Sequence, residues 1–288
     1  MSAVYKKELR IFFSGFIGYG IIAFYLLFAG VFVTMNNLYG QSPTLETTYS
    51  YLILALLMIV PVLTMRTLAD ERQSGTFLLL SSLPLRTVDY VLGKYFALLT
   101  ALAIPMGIVG TYTFILSLYG PVRVLPALLA TIVLFLVAAA MTAIGLFISS
   151  VTSTPLFAAV LTLAALLLIY YLPGLAVLLP ATAMGSFGLF TVLVLLMGAI
   201  IGYFMKSWNF GLITVALFEG ALVALLLFAP TLLEGSAALV LGMLSLTDRF
   251  ELFSLYGIFD LTAVIYYLSV CFLFVFFTVA SMEKKRWN

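Results

Sequence analysis

Apolar runs long enough to cross a lipid bilayer recur from one end of this chain to the other, and no other feature restricts its fold so much. A helical span needs about 20 predominantly apolar residues to traverse a hydrocarbon layer roughly 30 Å thick. Runs of that kind lie near 14–36, 50–68, 95–119, 125–149, 155–173, 186–205, 209–229 and 258–281, with Pro173, Gly174 and Pro180 blurring the border between the fifth and the sixth. A transmembrane barrel would alternate apolar and polar residues in segments of about ten, whereas these runs are apolar on every side. The fold class expected is all-α, a polytopic transmembrane helix bundle of about eight spans. The composition excludes a water-soluble domain, since 65% of the residues are hydrophobic and 8% charged, where a soluble domain has about 25% charged. The mean hydropathy of +1.26 says the same.

The few charges orient the bundle. Lys6, Lys7 and Arg10 precede the first span, Arg66, Arg72, Arg86 and Lys94 fall between the second and third, Lys206 follows the sixth, and Lys284, Lys285 and Arg286 follow the last. With both termini in the cytoplasm and an even number of spans, all of these are cytoplasmic, and only Arg123 and Arg249 lie outside, as the positive-inside rule asks. The basic start followed by an apolar run resembles a secretion signal, but the run outlasts the roughly 7–15 residues of a signal core and no small-x-small cleavage site closes it. It reads as a retained first helix. Residues 1–13, which mix Lys6, Lys7, Glu8 and Arg10 with Val4, Leu9, Ile11, Phe12 and Phe13, suit a short helix lying in the cytoplasmic interface among lipid headgroups.

The single long polar stretch, 66–94, carries most of the functional information. Charges crowd its start at Arg66, Asp70, Glu71 and Arg72; Gly75 breaks the helix; an apolar block Phe77–Leu80 follows, and Pro84 starts a new turn before Thr87 or Asp89 opens the third span. A charged helix, a break and exposed leucines at a membrane surface fit either a docking surface for a cytoplasmic partner or a plain solvated connector.

The run Ala69-Asp-Glu-Arg-Gln-Ser-Gly-Thr-Phe-Leu-Leu-Leu-Ser-Ser-Leu-Pro-Leu, followed by Val91-Leu-Gly-Lys94, resembles the loop after the second helix of ABC-2 type transporter permeases. The matching positions are Glu71, Arg72, Gly75, Thr76, Leu79, Leu80, Ser82, Pro84, Gly93 and Lys94. A second stretch, Arg249 to Asp260 and then Val264-Ile-Tyr-Tyr-Leu-Ser269, is similar to the segment before the last helix in the gliding-motility-associated branch, and the basic end Lys284-Lys-Arg-Trp287 fits that branch too. The chain departs from it in two respects. The branch usually has six helices, so 186–229 looks like an extra pair, and Tyr256 stands where the branch often has arginine.

The resemblance implies a single permease domain over 1–288, in the bacterial cytoplasmic membrane, paired with a second permease copy or a related permease and served by separate ABC ATPase subunits. ATP and Mg would be bound by that partner, because the one Gly-Lys step here, Gly93-Lys94, lacks the earlier glycine and the following Ser/Thr of a P-loop. The chain itself is then no enzyme, its substrate would be exported, and its other contact is membrane lipid rather than nucleic acid. By the same resemblance Asp70, Glu71 and Arg72 meet the ATPase, Phe77, Leu79 and Leu80 anchor it, Gly75 and Pro84 (with Thr76 of the motif) set the angles between short helices, and the elbow residues Lys6, Lys7 and Arg10 rest against the same region. The outer segment 234–257, with Glu234, Asp248, Arg249 and Glu251, resembles the re-entrant or interfacial helices that cap the exit side. Asp260 stands where a helix N-terminus favours a carboxylate.

Glu219 is the outlier, a carboxyl group near the middle of the apolar stretch 210–228. At that depth a charge costs a few kcal/mol or more, so the side chain should face a protein interior or a wet cavity. It either lines a transport path or partner contact, or serves as a neutral acid hydrogen-bonded to a neighbouring helix. An ion-coupled secondary transporter would need a matching acid or broken helix in the other half, which is absent from the sequence. A membrane-embedded enzyme lacks its usual groups, since there is no histidine, one cysteine (Cys271) and only singly scattered acids. A membrane scaffold on which an ATPase does mechanical work would use the same coupling loop as a permease.

Overall fold

Gly15 separates the short N-terminal helix from the first span, close to the boundary expected between 13 and 14. It adopts an extended backbone (φ −106°, ψ 163°), ending α1 (Ser2–Ser14) and starting α2 (Phe16–Val33). The computed structural model describes residues 1–40, 42, 45–76, 86–118, 120, 122–178, 180–204, 208–250 and 260–287, and every regular element among them is helical. After α2 comes a π-helical turn, Thr34–Tyr39, and then α3 (Glu46–Met65), the short α4 (Ala69–Gln73), α5 (Thr87–Ser117), α6 (Val124–Val151), α7 (Pro155–Leu178), α8 (Ala183–Phe204), α9 (Trp208–Phe228), α10 (Pro230–Leu233), α11 (Ser236–Leu244) and α12 (Leu261–Trp287).

Seven helical stretches among the described residues are long and apolar enough to cross a membrane: Gly18–Tyr39, Thr47–Gln73, Thr87–Ser117, Val124–Val151, Pro155–Leu178, Trp208–Phe228 and Leu261–Lys284. Their number and composition are those of a multi-pass membrane protein. The expected sixth span, 186–205, differs mainly in its start: it falls on α8 (Ala183–Phe204), an apolar helix of 22 residues. The fifth span also differs, running through Pro173 to Leu178 instead of stopping at the proline. A proline removes one ladder hydrogen bond, but apolar helices tolerate it because neighbouring groups satisfy the freed carbonyl. Pro61 in α3 and Pro105 in α5 are carried in the same way.

The chain divides into two compact units, Met1–Leu167 with Arg249–Asn288, and Leu168–Asp248. In the first, α6 is the central post, with α3, α5 and α12 packed around it, α1 against α5 and α2 against α3. Every residue from Val137 to Leu146 is buried, on all sides of the helix. Ala138, Ala139, Ala140, Ala143 and Gly145 make this possible, because small side chains let neighbouring backbones approach where lipid supplies no hydrophobic drive. The Tyr95 hydroxyl, buried in α5, donates to the Ala139 carbonyl at 3.0 Å and fixes the register of the two helices.

In the second unit α8 and α9 pair lengthwise, with α10 and α11 against α8. The crossing is close enough that a Cβ on Gly198 would sit 2.2 Å from Val215. Of α9 only Gly211 is buried, which leaves most of its apolar surface exposed.

Candidate functional site

At one end of the first unit, α1, the end of α3, the short α4 and the start of α5 converge on a buried lysine. Lys94 lies two turns into α5, between Val91 and Ala97, with its side chain 1% exposed. A lysine at such a position must use all three ammonium protons, since an unpaired buried charge is severely penalised. Its Nζ donates to Glu8 Oε1 of α1 at 2.8 Å, and to the Thr67 carbonyl at the end of α3 at 2.9 Å. Glu71 Oε1 of α4 lies 2.9 Å away. The Tyr90 hydroxyl donates to the other oxygen of Glu71, and its ring lies 5.2 Å from the ammonium. Lys7 completes the group from the surface, 3.6 Å from Glu71 and half exposed. One buried cation thus ties together three segments far apart in sequence.

The approach of α1 to α5 depends on Gly93. A Cβ there would lie 3.1 Å from Val4 Cβ and 3.2 Å from the Met1 carbonyl oxygen, so a side chain at this position would push the two helices apart. Further along the same contact the hydroxyls of Tyr5 and Thr100 are 3.0 Å apart.

α4 is too short to stand by its own hydrogen bonds, and both its ends are held from outside. Ser149 Oγ, from the last turn of α6, accepts the amide protons of Leu68 (3.3 Å) and Ala69 (3.1 Å), acting as an N-cap supplied by another helix. Arg72, near the other end of α4, returns the favour at that same end of α6. Its Nη1 donates to the carbonyls of Val151 (3.3 Å) and Thr152 (2.7 Å), and its Nη2 to that of Ser150 at 2.5 Å. The last carbonyls of a helix lack intrahelical partners and carry partial negative charge, so a planar guanidinium spanning three of them suits the position. Nη2 also lies 3.9 Å from Met282 Sδ, which brings α12 into the same joint. Gly75 closes α4 in the left-handed region (φ +72°), the usual termination after a helix C-cap.

The sequence-selected residues therefore fall into distinct places. Glu71 and Arg72 are engaged within the chain, while Asp70 and the Gln73–Thr76 turn are exposed, with Thr76 Oγ1 donating back to the Glu71 carbonyl at 3.1 Å. Phe77, Leu79, Leu80 and Pro84 lie outside the described residues. Of the elbow cations, Lys7 reaches Glu71, and Lys6 and Arg10 are exposed. Glu8 is absent from the candidates drawn from sequence, and Lys94 stood among them only as a motif position. A lysine flanked by Val91, Leu92, Tyr95 and Phe96 needs a buried acid as partner, and that requirement was the available signal.

Away from this cluster, Asp260 is the N-cap of α12: its Oδ1 accepts the Thr262 amide proton at 2.8 Å. That bond, with Arg249 nearby, holds the carboxyl below its ordinary range. The Arg249 guanidinium stacks 4.4 Å from the Tyr266 ring centre, and Glu251 lies outside the described residues. In the second unit Glu219 Oε2 accepts from Thr191 Oγ1 of α8 at 3.4 Å, and its Oε1 is buried without a hydrogen-bond partner. Among the described residues no three carboxylate or thiol groups cluster as metal ligands. No family model matches the chain, and no curated protein matches it.

Proposed function

We propose that this chain is the membrane-spanning permease subunit of an ABC exporter, driven by ATP hydrolysis in separate nucleotide-binding subunits and paired with a second permease copy or a related permease. The observation that carries this reading is the double anchoring of α4. A coupling element must transmit a push without deforming, so it has to be fixed to the spans it moves. α4 is fixed to α5 and α1 through Glu71 and Lys94, and to α6 and α12 through Arg72 and Ser149. Its exposed side, Gln73 and the turn through Thr76, is left free for a partner. A solvated connector has no need of three capped carbonyls and a buried ion cluster.

In this reading the charged end of the first unit is cytoplasmic, the ATPase bears on the Gln73–Thr76 turn, and its closure moves α1, α5 and α6 as one joint. ATP and Mg stay in the partner, and the chain's own contribution is mechanical. The same joint would serve an ATPase-driven scaffold, and substrate movement separates the two. The second reading, ion-coupled transport, draws support from the buried Glu219 carboxyl with one oxygen unpartnered.

The test is co-purification of the tagged chain from native membranes in mild detergent, scored by ATP hydrolysis of the stoichiometric partner. Gln73→Trp on the exposed side should release the partner while leaving the melting temperature unchanged. Recovery of no ATP-hydrolysing partner from wild type in several detergents, or full retention by the variant, would sink this reading.

A further inference from the structure

A cavity with charged residues in its lining adjoins an apolar groove on the first unit, along α2 and α3. The cavity, about 250 Å³, opens between α1, the end of α3 and α5, and its lining includes Phe12, Leu63 and Leu98 together with Glu8, Arg66 and Asp70. The groove, about 390 Å³, lies between α2 and α3 and is lined by Phe16, Gly20, Phe24, Met58 and Ile59, with no charged side chain. Val62 belongs to both, and Gly15 of the cavity precedes Phe16 of the groove, so the two lie side by side. Each approaches or reaches the roughly 300–1,000 Å³ of small-molecule sites. A charged mouth beside an apolar trough has the layout of an amphiphile.

The charges at the mouth select the headgroup. Arg66 and Asp70 are both exposed, and neither forms an ion pair among the described residues although both line the same cavity. Glu8 engages Lys94 through Oε1 and also lines the cavity. One guanidinium beside two carboxylates suits a ligand that carries an anion and a hydrogen-bonding cation together. A phosphate would take the Arg66 fork, and a primary ammonium would take the carboxylates with charge-assisted bonds. A headgroup with no amine would leave the Asp70 carboxylate unpaired, and a quaternary amine has no N–H to donate.

We infer that this site binds a phospholipid of the phosphatidylethanolamine class, its headgroup between Arg66 and Asp70 and one acyl chain along the Gly20–Met58 groove. The inference does not depend on the permease reading, because it rests only on residues of α1 to α5. It also leaves the Gln73–Thr76 turn untouched.

Delipidated full-length protein in detergent would be offered equal amounts of phosphatidylethanolamine, phosphatidylcholine and phosphatidylglycerol with identical acyl chains, and retained lipid read by native mass spectrometry. Wild type should retain the ethanolamine lipid roughly five- to tenfold over both others, the preference that about one charge-assisted bond provides. Asp70→Asn should bring ethanolamine and choline lipids level, and Arg66→Gln should lower all three. Gly20→Leu should also lower all three, since its Cβ meets only the Phe16 ring, at 3.8 Å, and the side chain fills the groove. Thermal melting of each variant separates lost binding from lost fold. Equal retention of the three lipids by wild type, a preference for the glycerol lipid, or an ethanolamine preference surviving Asp70→Asn would each overturn the assignment.

Discussion

The ammonium of Lys94 lies 2.8 Å from the carboxylate of Glu8, a residue 86 positions earlier in the chain, and this pair joins the N-terminal helix to the bundle. With the Lys94 side chain 1% exposed and that of Glu8 16%, the pair is largely out of water, and its worth lies in being complete. Two charges brought out of solvent repay their desolvation only while every partner is present.

Lys94→Met should therefore destabilise the protein by about 3–5 kcal/mol, the usual consequence of leaving buried carboxylates without their cation. Adding Glu8→Gln and Glu71→Gln to the same chain should restore much of the loss, because neutral amides carry no comparable burial cost. Unfolding in mixed micelles, followed by circular dichroism, measures both. A triple variant no more stable than Lys94→Met alone would show that packing, not charge, dominates the joint.

Arg72→Lys should free the last turn of α6. A point-like ammonium cannot reach three carbonyls in the arrangement that the guanidinium spans between Ser150 and Thr152. Hydrogen exchange should quicken in α4 and in the final turn of α6 while the Val137–Leu146 core stays protected. Ser149→Ala should produce the α4 half of that effect by itself, at about 1 kcal/mol for a lost cap, since two amides lose their acceptor.

The bundle was legible in the sequence because apolar length is a one-dimensional property. Span positions follow from runs of leucine, valine and phenylalanine wherever they are long, and they blur where Pro173 and Gly174 imitate an ending that the helix passes through. The break at Gly75 was legible for a similarly local reason. The joint was not, for it depends on which termini meet in space. Nothing near Glu8 announces a partner in α5, and nothing in Ser149 marks it as the cap of a helix formed by residues 69–73. Glu71 and Arg72 could be selected as a charged pair, but which of them faces inward is decided by Lys94 and by the end of α6.

Gly93→Leu should separate α1 from α5. The added side chain meets Val4 and the Met1 carbonyl within the first two bonds, and α1 has no buried residue of its own to resist displacement. In a Cys271→Ser background, cysteines replacing Tyr5 and Thr100, whose hydroxyls now lie 3.0 Å apart, should be joined by a short bismaleimide linker that spans the room left by the tyrosine ring. Introducing Gly93→Leu should suppress that cross-link. Unchanged cross-linking would mean that α1 is held by Glu8 and Lys7 alone.

The N-terminus of α12 should loosen as the pH falls. The Asp260 carboxyl is held below its ordinary value by its bonds to Thr262, with Arg249 contributing. A depressed folded-state value means that the cap is fully present above the ordinary carboxylate range and is lost as pH drops through the lowered value. Amide exchange at Thr262, corrected for intrinsic rate, should rise only in that acid window. Asp260→Asn should keep a cap with no such pH dependence, and Asp260→Ala should expose this amide at every pH.

Glu219 separates the transport readings most directly. Its Oε2 accepts a hydrogen bond from Thr191, and an amide oxygen can accept the same bond. If the carboxyl serves only to join α9 to α8, Glu219→Gln should preserve stability and partner-driven export alike, whereas Glu219→Leu should weaken the helix pair by about 1 kcal/mol, the typical worth of one such bond. An ion-coupled mechanism demands the opposite pattern, since glutamine cannot exchange a proton or bind a cation by charge. Substrate flux into or out of proteoliposomes, with and without a proton gradient, gives the result. The hydrogen-bonded geometry leads to the expectation that Glu219→Gln transports as wild type and that flux follows ATP, not the gradient.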